Sequence, residues 1–193
     1  MQRVTGCCGS RVGVGPRYRE LARALGRLLV QRGCGLVFGG GSVGLMGVVS
    51  DAVLEAGGEV IGVIPRSLAT KELLHTGVPD MRVVDSMHDR KALMAELSDA
   101  FIALPGGFGT FEELFEVITW AQLGIHSKSV GLLNVGGFFD PLVRLIDHAI
   151  QEQFIKPQHR GLIVVEERPD VLLEQLERHR PPEVRKWMSP EEG

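Results

Sequence analysis

Phe101-Ile102-Ala103-Leu104-Pro105-Gly106-Gly107-Phe108-Gly109-Thr110-Phe111-Glu112-Glu113 reads as a strand, a glycine turn and a helix start in one run. The apolar stretch 101–104 has strand length, and a helical pattern continues from residue 110 to about 123. Glycines remove the Cβ atoms that would block close approach, and the first helical turn leaves its N–H groups without intrahelical acceptors. The helix dipole adds a preference for negative charge at that end. The stretch therefore predicts an anion pocket. Glu112 and Glu113 stand beside it, which points to chemistry on a phosphorylated molecule rather than to simple holding.

Outward from this stretch, apolar runs of strand length alternate with amphipathic segments. The strands expected are 4–8, 35–38, 60–64, 81–84, 100–104, 130–133 and 162–165. Helices are expected at 16–32, 45–56, 87–98, 110–123, 141–153 and 170–180. Runs such as Val60-Ile61-Gly62-Val63-Ile64 lack strict alternation, so both faces should be covered, as in a parallel sheet between helix layers. The fold class is a doubly wound α/β fold of about seven parallel strands with helices on both faces, binding ligands at the carboxyl ends of its strands. Gly6 interrupts the first strand. The expected organisation is one domain over 1–180 and a peripheral or partly disordered tail over 181–193, which carries two adjacent prolines and few apolar residues.

The length of 193 residues suits one large domain. A net charge of −3, from 21 basic and 24 acidic residues, argues against a nucleic-acid partner. No apolar run reaches the roughly 18 residues of a membrane span, and residues 1–20 lack the apolar core of a secretory signal. Cys7, Cys8 and Cys34 are odd in number without Cys-x-x-Cys spacing, which fits a reducing cytoplasm. The six histidines are scattered. Neither a metal nor any other cofactor is expected.

A second glycine loop, Gly39-Gly40-Gly41-Ser42-Val43-Gly44-Leu45-Met46-Gly47, matches the dinucleotide pattern literally. It lies in the second strand-to-helix turn, however, and Glu59, the acid about 20 residues on, begins the next strand instead of ending it. The loop packs its backbone against a nucleotide or closes the pocket wall, or else makes a tight turn with close helix–sheet packing. Thr110 either donates to a phosphate or forms a capping box with Glu113. Helix 110–123 is apolar around most of its circumference, which predicts broad coverage by other structure. Glu112, Glu116 and Thr119 make one polar stripe on it, with Glu113 on the flank. In helix 87–98, Arg90 falls within the inward stripe of Met87, Leu93, Met94 and Leu97. An inward guanidinium near a helix start must be paired, with a ligand anion or with an acid such as Glu113, unless its head reaches solvent. Asp85 or Ser86 is the expected cap of that helix. Ser10 ends the first strand at the same sheet edge, and Glu72 lies in a polar connection that could fold over the site.

Taken together, the strings Cys8-Gly9-Ser10, GGGSVGLMG at 39–47, GGEVIGVIP at 57–65, Met87-His88-x-Arg90-Lys91, PGGFGTFEE at 105–113 and EVITWAQLGIHSK at 116–128 resemble the Lonely Guy family of cytokinin-activating phosphoribohydrolases. The resemblance runs from about residue 3 to 155. It implies a Rossmann-like fold, a homodimer with sites near the interface, and cleavage of the N-glycosidic bond of nucleoside 5′-monophosphates. The products would be an adenine-type base, preferentially N6-prenylated, and ribose 5-phosphate, with plain AMP also hydrolysed. By motif position it implies Arg90 and Glu113 as the catalytic pair. Glu72, Arg90, Lys91, Gly107, Phe108, Gly109, Thr110, Phe111, Glu112, Glu113 and Thr119 are implied as the nucleotide site. The chain departs from the family pattern at Thr5-Gly6-Cys7, where an apolar strand is usual, and at Arg11. Related proteins have carried a lysine decarboxylase label, for which the sequence offers no pyridoxal-binding pattern. Two other readings stay open: a non-catalytic nucleotide-binding module on the same fold, and a nicotinamide dehydrogenase using 39–44.

Overall fold

A computed structural model describes residues 1–69 and 74–183. Seven strands form one sheet: β1 (Arg3–Cys7), β2 (Gly35–Phe38), β3 (Val60–Pro65), β4 (Asp80–Val84), β5 (Ala100–Ala103), β6 (Ser129–Leu133) and β7 (Ile163–Glu166). All pairings are parallel, in the order β4-β3-β2-β1-β5-β6-β7. Among the described residues, α1 (Arg17–Gln31), α2 (Gly44–Glu55), α3 (Met87–Leu97), α4 (Phe108–Leu123) and α5 (Asp140–Gln151) lie between strands, and α6 (Pro169–Arg178) follows β7. Short 3-10 turns at Val135–Gly137 and Pro157–Leu162 were not legible in the apolar pattern.

The core explains the layering. Leu25 and Leu29 of α1, Val49 and Val53 of α2, and Leu172 and Leu176 of α6 pack together on one face of the sheet. On the other face, Met94 of α3 meets Val37, Ile61 and Val63, while Leu114 and Val117 of α4 meet Phe101, Val130 and Leu132. The central strands are buried throughout, as the unalternating runs predict. Gly6 does not weaken β1, which pairs on both sides and lies at the centre of the sheet. From β1 the chain steps outward through β2, β3 and β4, then returns to β5 on the other flank. The carboxyl ends of β1 and β5 thus flank the topological switch point, where an open α/β sheet leaves its ligand crevice.

One expectation fails. Helix α4 buries only the stripe Thr110, Leu114, Val117 and Ala121. The sheet can cover one side of a helix, and here Phe115 is 43% and Phe108 92% exposed. No helix of the described residues is long and apolar enough to cross a membrane. Most of the tail, from residue 184, and Glu72 lie outside the described residues.

Candidate active site

The two loops at the switch point lock together. Gly9 N–H donates to Pro105 O at 3.2 Å, and the Gly9 and Gly106 backbones approach so closely that a Cβ on Gly9 would lie 3.0 Å from Gly106 Cα. A Cβ on Gly106 would overlap Thr110 Oγ1 and lie 2.7 Å from Thr110 Cβ. By contrast, a Cβ on Gly107 or Gly109 would meet no atom within 4 Å. The glycines therefore divide into one that lets the chain pack and two that leave space open. Beside them is a cavity of about 360 Å³, lined by Gly9, Ser10, Arg11, Tyr18, Gly106 and Gly107 among others.

Helix α4 starts at Phe108, with Gly107 as its cap and no capping side chain. The first intrahelical bond is Phe111 N–H to Gly107 O at 3.0 Å. The N–H groups of Phe108, Gly109 and Thr110 thus have no intrahelical acceptor, which is the arrangement that suits an anion at a helix end. Thr110 is the third residue of the helix, not its cap, so the capping box with Glu113 does not form. Extended Gly107 already occupies the cap position, and Thr110 packs, buried, against Gly106.

Helix α3 is capped by Ser86, whose hydroxyl accepts from Asp89 N–H at 3.0 Å, while the Asp89 carboxylate accepts from Ser86 N–H at 3.1 Å. This cap fixes the first turn that carries Arg90. Arg90 and Met94 are the buried residues of α3, whereas Met87 is exposed. Arg90 Nη2 lies 3.0 Å from Glu113 Oε1, and both side chains are almost buried. Arg90 Nη1 donates to Met87 Sδ at 3.6 Å, and the buried Nε has no hydrogen-bond partner among the described residues. An unsatisfied buried donor is costly unless something supplies an acceptor. Of the readings for Arg90, the acid partner is the geometry observed, and one donor is still left over.

Burial pushes the Glu113 carboxyl above the usual carboxylate range, even though the Arg90 guanidinium beside it favours its ionised form. The desolvation of a carboxylate thus outweighs its neighbouring cation. Lys91 does different work. Its ammonium bonds Glu112, which is half exposed, and Glu116 Oε1 at 2.9 Å. Lys91 of α3 thus sets one cation between two acids of the polar stripe on α4, and Glu113 is the acid left for Arg90. Thr119 donates its hydroxyl to Phe115 O at 2.7 Å. It lies about 9 Å along the helix axis from Glu113 and on another face, so within this chain it does not join the Arg90–Glu113 pair.

The loop 39–47 takes its meaning from these neighbours. A Cβ on Gly39 would overlap Arg90 Nη2 and lie 2.8 Å from its Cζ. One on Gly44, at φ +64°, would lie 2.6 Å from Gly9 O and run into the Ser10–Arg11 backbone. Glycine here makes room for protein, and the loop forms the wall behind Arg90. Glu59 is bonded to Arg3 at 2.7 Å, at the amino ends of the strands, which removes the ribose acid that a dinucleotide site needs. Sequence reading set Gly39 in a loop at the pocket or in close helix–sheet packing, and did not foresee its place against Arg90. Among the described residues, no group of three or more His, Cys, Asp or Glu could hold a metal ion.

Comparison with known proteins agrees with the motifs. A family model described as "Possible lysine decarboxylase" matches residues 46–176. A probable cytokinin riboside 5′-monophosphate phosphoribohydrolase of Oryza sativa subsp. japonica is 54% identical over 180 residues, covering 93% of this chain and 74% of the relative. A cytokinin riboside 5′-monophosphate phosphoribohydrolase of Arabidopsis thaliana is 52% identical over 180 residues, covering 93% and 83%. Among solved structures, the molybdenum cofactor carrier protein of Chlamydomonas reinhardtii superposes with a TM-score of 0.68 at 21% identity, covering 92% of this chain and 98% of its own. At that identity the likeness speaks for the fold alone. The chain belongs to the cytokinin riboside 5′-monophosphate phosphoribohydrolase family, the Lonely Guy family that its motifs resemble.

Proposed function

We propose that the protein hydrolyses the N-glycosidic bond of adenosine 5′-monophosphates, N6-prenylated and plain, to free base and ribose 5-phosphate. The observation that carries this reading is a nearly buried carboxylate, Glu113, set 3.0 Å from the Arg90 guanidinium and five residues beyond the first residue of a helix whose start has no capping side chain. Five residues are about 7.5 Å of axial rise, and helical side chains lean back toward the amino end. Glu113 therefore reaches toward the amides of 108–110.

In this reading those amides hold the 5′-phosphate. As the C1′–N9 bond breaks, the electron pair leaves with the base and positive charge builds on the ribose, as in glycoside hydrolysis. Ionised Glu113 stabilises that charge and takes a proton from the attacking water. Arg90 holds the carboxylate or stabilises the departing base. Phosphate binding, remote from C1′, supports distortion at the reacting carbon. Glu72, Lys91, Thr119 and residues 107–113 are the proposed substrate contacts.

The same reading makes the protein a homodimer, supported by the exposed Phe108 and Phe115 of α4 and Leu145 of α5, and places it in the cytoplasm, supported by three free, buried thiols. The test is incubation of folded protein with isopentenyl-AMP and AMP, followed by chromatography of the bases. Release from either supports hydrolysis. Calorimetric binding with no base from either would mean a non-catalytic nucleotide-binding module and would overturn the proposal.

A further inference from the structure

Three successive glycines, Gly39, Gly40 and Gly41, begin the loop that walls Arg90. Glycine loses the most freedom on folding, so such a stretch keeps one shape only where other groups tie it down. His75 supplies ties on both sides of Gly39. Its N–H donates to Gly40 O at 2.9 Å, and its neighbour Leu74 pairs with Gly41 in an antiparallel bridge. Its ring packs at right angles to that of Phe38, the last residue of β2, with centroids 6.2 Å apart.

The imidazole is itself anchored. Gly77 N–H donates to Nδ1 at 3.2 Å, which leaves the ring proton on Nε2. Nε2–H then donates to Asp51 Oδ1 of α2 at 2.9 Å. His75 is buried, so each ring nitrogen needs a partner, and each has one. A neutral histidine suits this place because it accepts from a loop amide, donates to a helix carboxylate and presents a flat face for packing. The tie matters because of what lies against Gly39. A Cβ there would overlap Arg90 Nη2, and that same Nη2 lies 3.0 Å from Glu113 Oε1. A shift of the Gly39 main chain would therefore crowd the guanidinium or leave a gap beside it.

We propose that His75 is a positioning residue for the hydrolysis: clamped between Gly77 and Asp51, it fixes residues 38–41 so that Gly39 seats the Arg90 guanidinium against Glu113. The inference rests on the N-ribohydrolase reading, and its test separates the two. His75→Phe keeps a ring against Phe38 and loses both ring hydrogen bonds. Asp51→Ala removes one of them from the far side, and Asp51→Asn keeps an acceptor oxygen. Thermal unfolding checks that each variant folds; if His75→Phe does not, Asp51→Ala takes its place in both readouts. The first readout needs no activity: it is the Arg90 Nε–H signal in the proton–nitrogen NMR spectrum of ligand-free protein, assigned by its loss in Arg90→Lys. His75→Phe should move that signal and speed its exchange with water. The second readout is base release from AMP, where His75→Phe should lower kcat about 3- to 10-fold, the worth of one hydrogen bond. Asp51→Ala should lower it less, and Asp51→Asn should stay close to wild type. KM should change little, because the amides of 108–110 are untouched. An unmoved Arg90 signal in His75→Phe, or a lower melting temperature with base release unchanged, would make His75 a fold element alone and overturn the proposal. Equal losses in Asp51→Ala and Asp51→Asn would overturn it too. A wild-type protein that binds AMP and releases no base would instead overturn the hydrolase reading, with the Arg90 signal still deciding whether His75 places the guanidinium.

Discussion

Substituting Gly39 by alanine tests whether the 39–47 loop exists to seat Arg90. The added Cβ would lie 2.8 Å from Arg90 Cζ and overlap Nη2. Carbon–carbon contacts settle near 3.5–4.0 Å, so the guanidinium must retreat by about 1 Å. Gly39 is not among the glycines with positive φ, so no backbone strain adds to the clash. The end of an arginine can move, and the fold should survive. Yet Arg90 is buried against Glu113, and a shift of that size opens the 3.0 Å contact that pairs them. A misplacement of about 1 Å in a catalytic group can cost roughly 10²-fold in rate, or about 2.7 kcal/mol of transition-state stabilisation. Weakening the ion pair should lower stability by about 1–2 kcal/mol, a Tm loss of roughly 2–8 °C for a chain of this size. The assay is base release from isopentenyl-AMP under saturating substrate, beside a thermal melt. A variant with wild-type kcat would refute the reasoning, since either Arg90 would not need its observed place or Gly39 would not guard it.

Three other outcomes follow from the same geometry. Glu113→Gln should keep nucleotide affinity and lower kcat about 10²- to 10⁴-fold, the usual loss for a removed general base; isothermal titration with AMP and single-turnover kinetics separate the two effects. Gly107→Ala should melt like wild type, because its Cβ meets open space, but raise KM for the monophosphate; Gly106→Ala should lose stability, because its Cβ collides with Thr110. Base release should fall with acidity through a midpoint above the ordinary carboxylate range, because Glu113 acts ionised and burial raises its pKa; the profile of kcat/KM against pH reads that midpoint, and an acid limb at the value of a solvated glutamate would contradict the burial.

The fold was legible because the sheet is buried on both faces. Residues 35–38 are apolar without alternation, and β2 occupies that very span. The anion loop was legible for a related reason: glycines between a strand and a helix leave amides with nothing else to do. The misreadings share a cause, which is that a one-dimensional pattern does not say what a glycine makes room for. Gly39 looked like part of a nucleotide fingerprint, and its neighbour is Arg90, 51 positions on. Thr110 with Glu113 fits a capping box letter by letter, but Gly107 lets the helix begin earlier and turns Thr110 inward. The exposure of Phe115 was invisible because amphipathic counting assumes that an apolar face finds a cover within the same chain.

Burying Arg90 with Glu113 is not a way to make this domain stable. Desolvating both charges offsets most of their attraction, and an apolar pair of like volume would serve the core as well or better. The structure bears the marks of that penalty. Glu113 is held above its ordinary range, and Arg90 keeps a buried donor without an acceptor among the described residues. Position 39 accommodates no side chain beside the guanidinium. Arg90 also sits in the first turn of α3, where the helix dipole opposes a cation. In the proposed hydrolysis the anionic substrate would offset the cost of the Arg90 cation, and the positive charge developing on the ribose would offset that of the Glu113 carboxylate. A site that is strained when empty and satisfied in the transition state is what catalysis by differential binding requires. That is the physical reason to read the pair as reactive groups rather than as a stabilising bridge.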